Sequence, residues 1–228
     1  MAGEQSLKRT MASQLADSVR NDIVNGKFAP GARLNLNDLS KHYAAGLSPL
    51  REALSRLSTS GFITAEDQRG FRVSEISRKE LVDTQRIRLE LESIALRESI
   101  TNGDVNWEGE VVAAHHRISR IQKTPEGGRL ALDKDWETAH HNFHTALLSA
   151  CESEWLMLFI KTLFECSTRY RKAVVLSDRP HKRDVANEHQ NLMDAVLNKD
   201  ADQACALLGA HYNETTEFIL ASMNEGEK

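Results

Sequence analysis

Leu47-Ser48-Pro49-Leu50-Arg51-Glu52-Ala53-Leu54-Ser55-Arg56-Leu57 is the run that decides the fold. Ser48 followed by Pro49 predicts a helix start. A serine oxygen can accept a bond from an orphan first-turn N–H, and proline at the first helical position loses no bond and has its φ preset. Leu50, Ala53, Leu54 and Leu57 recur at helical spacing as one buried stripe, which leaves Ser48, Arg51 and Ser55 on another side with Arg56 at its margin. Gly61 predicts a left-handed stop. Upstream, Leu36 to Tyr43, with Leu36, Leu39 and Tyr43 apolar, reads as a shorter helix set off by Ala44-Ala45-Gly46. Two short helices across a tight turn, the second displaying arginine and serine, make a helix-turn-helix pattern.

Phe62-Ile63-Thr64-Ala65 and Phe71-Arg72-Val73 are short β-prone runs on either side of Glu66-Asp67-Gln68-Arg69-Gly70, a hairpin with a basic, glycine-containing tip. Helix-turn-helix plus hairpin is a winged helix, and the alternative is the same module used for protein contact alone. Ser13 to Asn25 supplies a first helix, and Gly26-Lys27-Phe28-Ala29-Pro30-Gly31-Ala32-Arg33-Leu34 turns the chain. On these residues the chain resembles the GntR family of transcription regulators. Helix, G-x-x-x-P-G-x-x-L turn, P-x-R-E-A-L recognition helix and short wing follow in that family's order. The resemblance implies DNA binding.

The 228 residues suit one domain of about 75 residues and one of about 150, the larger able to bury its own core. Charged residues are plentiful and proline scarce, so a mainly α protein is expected. No apolar run nears the roughly 18 residues of a spanning helix, and the polar N-terminus is no signal peptide. Cys151, Cys166 and Cys205 show no C-x-x-C spacing and suggest a reducing cytoplasm. The net charge of -4 is unevenly shared. Residues 1 to 76 hold 10 Lys and Arg against 8 Asp and Glu, a net of +2, and residues 77 to 228 hold 19 against 25, a net of -6. The sign favours the N-terminal part as the one facing DNA.

In order, residues 1–9 read as a polar arm, 10–74 as a winged helix-turn-helix DNA-binding domain, 75–78 as a linker and 79–228 as an all-helical effector- and metal-binding domain. Ser77 with Glu80 three residues on is a capping box opening a long helix that Asn102-Gly103 stops. Further helices are expected over about 105–122, 132–150, 154–176, 182–198 and 200–224, broken by Pro125, Gly127-Gly128, Ser153, Pro180 and Asp200. No strand pattern follows Val73. The fold class is therefore mainly α: an N-terminal winged helix-turn-helix plus a C-terminal six-helix antiparallel bundle.

His140 and His144 are four apart on one expected helix, so both imidazoles leave from one face and can share an ion. His189 and His211 lie on the last two helices, and a metal site inside a bundle needs ligands from several facing helices. Equally, the pair can be ordinary exposed histidines and the other two satisfied ones. The second part resembles the FCD ligand-binding domain of the FadR branch, with a helix count like the VanR group and a pattern closest to CsiR-type repressors. That resemblance, carried by Phe143-His144 and by the motif from Glu188 to Asp200, implies a divalent metal held by His144, His189 and His211. His140 stands where the family carries aspartate. One negative charge is lost and one nitrogen gained, which shifts preference toward zinc or nickel and away from manganese or magnesium.

Open metal positions would let a small carboxylate replace water. Arg88 matches the family's R-x-x-L-E arginine and would grip a carboxylate with two parallel bonds, with Arg169 a second candidate; alternatively Arg88 pairs with Glu92 or Asp83 on the helix surface. A dicarboxylate such as glutarate is the effector class the CsiR likeness implies. For DNA, Arg51 suits guanine O6 and N7, supported by Ser48 and Asn37, with Arg33 near the backbone and Arg69 and Gly70 at the wing tip. Leu47 stands where the family often has arginine, and could meet a thymine methyl instead. The expected function is a homodimeric repressor, released from a palindromic operator by a small organic acid bound at the metal. A metal-dependent enzyme acting on such an acid, or a direct metal sensor, are the alternatives.

Overall fold

The computed structural model of the chain describes residues 10–66, 70–121, 125–126, 129–130, 134–175 and 183–223. The expected arm over 1–9 and wing-tip Arg69 lie outside the described residues, as does the side chain of Arg169. The chain forms two compact units, Met1–Ile76 and Ser77–Lys228.

The first unit opens with α1 (Met11–Val24), whose N-cap Thr10 accepts from the Ser13 N–H at 3.2 Å. Strand β1 (Arg33–Leu34) leads into α2 (Leu36–Tyr43), capped by Asn35, whose side chain accepts from the Asn37 N–H at 2.9 Å. Ala44, in the left-handed region at φ 48°, ends α2 and turns the chain toward α3 (Leu47–Thr59). Leu50, Ala53, Leu54 and Leu57 of α3 are fully buried against Leu15, Val19, Leu39 and Phe62. Each such leucine contributes about 1.5–3 kcal/mol relative to exposure.

The start of α3 differs from expectation. Its N-cap is Gly46, with no side-chain bond to the first turn, and Ser48 sits inside that turn. Pro49 does not force a start, because none of the first N–H groups has an intrahelical acceptor.

After α3 come β2 (Ile63–Glu66) and β3 (Gly70–Val73), antiparallel with Ile63 opposite Val73 and Glu66 opposite Gly70. The wing sheet has a third strand that the sequence did not announce: β1 pairs with β3, Arg33 facing Arg72 and Leu34 facing Phe71. Two residues are too few to show alternation.

The second unit is a bundle of α4 (Arg78–Asn102), α5 (Val105–Arg120), α6 (Lys134–Leu147), α7 (Glu154–Val175), α8 (Val185–Leu197) and α9 (Ala201–Met223). Ser77 caps α4 by accepting from the Glu80 N–H, and Asp104 and Asp184 cap α5 and α8 in the same way. Gly103 ends α4 where only hydrogen fits, since a Cβ there would lie 2.1 Å from the Trp107 ring. Leu96, Val111, Phe143, Leu147, Leu192, Val196 and Leu208 fill the centre, and the Trp107 indole N–H ties α5 to α6 through the Ala146 carbonyl at 2.9 Å. The expectation of no strand after Val73 is corrected by a two-residue pair, β4 (Pro125–Glu126) with β5 (Arg129–Leu130). A ladder that short carries no period for a sequence reading to find. No described helix is long and apolar enough to cross a membrane.

Candidate metal centre and DNA-facing residues

Four histidines meet inside the bundle: His140 and His144 from α6, His189 from α8 and His211 from α9. None is more than 6% exposed, and one ring nitrogen from each lies within 4.8 Å of all the others. The Nε2 atoms of His140 and His144 are 3.2 Å apart, as the four-residue spacing on one helix face dictates. Ligand nitrogens about 2.1 Å from one divalent ion stand about 3–4 Å from each other. The cluster therefore fits such an ion with small side-chain adjustment, and four neutral imidazoles suit zinc or nickel. An exposed pair, the other reading of His140 and His144, is not what the structure contains.

The surroundings hold these rings. Trp136 stacks on His140 with centroids 4.7 Å apart and planes 20° from parallel. Glu188 Oε2 lies 2.8 Å from His211 Nδ1, leaving Nε2 of that ring for an ion. Arg183 grips Glu188 with two nitrogens and also donates to Thr215 Oγ1 at 2.7 Å and to the His211 carbonyl at 2.6 Å. Burial pushes the Glu188 carboxyl up, but the His211 and Arg183 bonds and the Arg183 charge outweigh it, bringing the carboxyl down to about 2. Sequence reasoning gave Glu188, Arg183 and Trp136 no role. Trp136, four residues before His140, could have been found by helical spacing; Arg183 is five residues before Glu188 but meets His211 and Thr215 only through the tertiary fold.

Arg88 does point into the bundle, but it is not on the helix surface and not idle. Its guanidinium bonds Glu92 Oε1 at 3.0 Å, Ser167 Oγ at 2.9 Å and Tyr212 Oη at 2.9 Å, and the Tyr212 hydroxyl donates to Glu92. Burial works against this charge, while Glu92 and Tyr212 favour it and hold the group above its usual range. A carboxylate entering here would compete with Glu92 for the same nitrogens.

A cavity of about 370 Å³ runs beside this network. His144 and Glu92 line it, with Lys161 and His141 as further polar groups and Leu148, Met157, Ile160 and Phe164 as apolar wall. A second cavity of about 410 Å³ reaches His189 past Trp136 and Arg183.

On the first unit, Ser48 and Arg51 are exposed on the face of α3 opposite its buried stripe. Arg56, at the margin, is tied to Glu52 Oε1 at 2.6 Å and Ser13 Oγ at 2.8 Å. Asn37 is exposed in the first turn of α2, Arg33 on β1, and Gly70 at the start of β3 with φ 94°. Leu47 is 46% exposed at the start of α3.

Two family models match the chain: "Bacterial regulatory proteins, gntR family" over residues 11–73 and "FCD domain" over residues 83–214. The HTH-type transcriptional regulator BphR of Paraburkholderia xenovorans (strain LB400) is 36% identical over 211 residues, covering 92% of this chain and 86% of that protein. The HTH-type transcriptional repressor GlaR of Escherichia coli (strain K12) is 34% identical over 209 residues, covering 90% and 94%. Among solved structures, E. coli McbR/YncC is similar at a TM-score of 0.76 and 20% identity, covering 93% of this chain and 98% of that one. At that identity the likeness speaks for the fold alone.

Proposed function

Because the chain belongs to the GntR family of bacterial regulatory proteins and carries an FCD domain, it is a DNA-binding transcription regulator and not an enzyme, and we propose that it is a repressor released from its operator by a small carboxylate. The metalloenzyme alternative falls with that membership. In this reading residues 10–74 bind DNA and residues 79–228 bind the effector. Two heads of a homodimer, acting in the cytoplasm, would set two α3 helices about one turn of duplex apart on a palindromic site. Arg51 would read guanine, Ser48 and Asn37 would support it, and Arg33, Arg69 and Gly70 would meet backbone or minor groove.

The observation that carries the effector half is that His144 belongs both to the four-imidazole cluster and to the wall of the 370 Å³ cavity. His140, His144, His189 and His211 would hold a divalent ion, zinc or nickel, which when bound supplies positive charge for one carboxylate. Lys161, an exposed residue that lines the same cavity, suits a second carboxylate, and the cavity's apolar wall suits a short methylene chain. Glu92 already occupies Arg88, so Arg88 serves the cavity by holding Glu92 and Tyr212 in place, and a carboxylate reaches it only by displacing Glu92. Arg169, in Thr168-Arg169-Tyr170-Arg171, stays a second proposed contact on its place in the sequence. Glutarate is the first dicarboxylate to test, as the CsiR likeness implies.

A thermal-shift screen of small organic acids with and without chelator, followed by release from operator DNA, tests this reading, since ligand that binds only the native state raises its melting point. A metal-dependent shift with a dicarboxylate and matching release from DNA are expected, both lost in the double variant His144→Ala, His189→Ala. Release by metal alone, with no acid required, would make the protein a direct metal sensor instead.

A further inference from the structure

Two cavities meet the histidine cluster at different rings, and they differ in chemistry. The cavity of about 370 Å³ meets it at His144. Its two carboxylates are Glu92, taken up by Arg88 and Tyr212, and Glu154, whose charge Lys161 cancels. The cavity of about 410 Å³, walled by α5, α6 and the start of α8, meets it at His189. Exposure falls along its polar lining: Ser119 and Asp184 are exposed, His115 and Gln190 half-buried, and His189 only 2% exposed. Gln190 gives its amide N–H to Asp194 Oδ1 at 2.9 Å, which leaves its carbonyl oxygen available. Trp136 lines this cavity too and lies flat on His140, so His189 is the ring of the cluster that faces the opening. Arg183, also in the wall, has its charge met by the two-point bond to Glu188.

A buried metal site needs a way in. Moving a cation from water into a protein interior is too costly unless oxygen or nitrogen donors replace its hydration on the way. The 410 Å³ cavity carries such donors from the surface to His189, whereas the 370 Å³ cavity sets a lysine and an apolar wall before His144. We propose that the 410 Å³ cavity is the loading route of the metal centre, separate from the cavity that takes the acid. Asp184 and Ser119 receive a hydrated divalent cation at the mouth, Gln190 and His115 replace its waters, and His189 passes it to the cluster. Ion and acid then need not share one opening.

The route rests on the four-imidazole site of the proposed function, and rates separate the two. A barrier on a path slows entry and exit by the same factor and leaves equilibrium affinity unchanged, whereas loss of a ligand changes affinity. The full chain, stripped of metal, is mixed with zinc in stopped flow. Zinc release is followed with a chromophoric chelator at concentrations where the rate no longer depends on it. Ser119→Trp narrows the mouth from an exposed position, and His115→Phe keeps a ring against Phe143 while removing the donor nitrogens. Each should slow uptake and release at least about tenfold, with zinc affinity within about twofold of wild type. Leu158→Trp, which narrows the other cavity, should leave both rates alone. Rates unchanged in Ser119→Trp and His115→Phe, or slowed by Leu158→Trp instead, would overturn the route and leave the metal site standing. Faster release with weaker affinity would make Ser119 and His115 supports of the bound ion and overturn it too. A chain that binds no zinc would overturn site and route together.

Discussion

Glu188 and His211, one on α8 and one on α9, are joined carboxylate to imidazole at 2.8 Å, and Arg183 holds the carboxylate from its other side. Such a carboxylate fixes which ring nitrogen carries the proton and makes the other a better ligand. Glu188→Gln should lower metal affinity by about 10–100-fold while leaving the bundle folded. A competition titration against a chelating dye measures it; an affinity equal to wild type would separate Glu188 from the ion.

Arg51 stands on the exposed face of α3, in contrast to Arg56, which Glu52 and Ser13 engage. Arg51→Ala should cost specific operator binding about 1–3 kcal/mol and relax discrimination at one base pair. Fluorescence anisotropy on operator and scrambled duplexes reads both. An equal loss on the two sequences would mean that Arg51 touches phosphate only.

Arg88 and Glu92 are both nearly inaccessible, and each is the other's counter-charge. Removing one side strands the other, so Arg88→Met should destabilise the bundle by about 3–5 kcal/mol. Pairing it with Glu92→Leu should recover most of that loss, because an apolar pair of similar volume escapes the desolvation cost. Urea denaturation of the two variants decides; a double variant no more stable than Arg88→Met would mean that Ser167 and Tyr212 suffer more than the charges do.

In the first unit, Asp22 on α1 accepts from Lys27 Nζ at 2.8 Å and from the Tyr43 hydroxyl of α2 at 2.6 Å. Burial raises this carboxyl, but those two bonds and the nearby Lys27 and His42 charges outweigh it and hold the group below its ordinary range. A carboxyl lowered in the folded state adds stability above its unfolded value of about 3.9, and that stability is lost as pH falls below it. Thermal melts between about pH 6 and 3 should therefore show wild type losing more than Asp22→Asn across the lower half of the range. Parallel curves for the two proteins would rule the carboxylate out.

Much of the fold was legible because local signals agreed with one another. The leucine stripe of α3, the Ser77 cap of α4 and the Asn102-Gly103 stop all follow from spacing and cap chemistry, and the structure repeats them. Ser48 misled because a proline tolerates several first-turn positions. β1 and the β4–β5 pair are two residues per strand and leave no period to read. At the centre, four-residue spacing and family likeness singled out the histidines that meet. They could not supply the Arg183 bonds to His211 and Thr215, nor the way Tyr212 joins Arg88 and Glu92, since those contacts join segments far apart in the chain.

Trp136 lying flat on His140 makes the site its own optical probe. Of the chain's three indoles, Trp155 is open to water and Trp107 sits in the core, so their emission differs in colour, and only Trp136 touches a ring of the cluster. A paramagnetic nickel ion among these imidazoles would quench Trp136 at close range, whereas zinc, with its closed d shell, would leave it bright. Whether nickel or zinc would occupy the four imidazoles could thus be read from native fluorescence without a label.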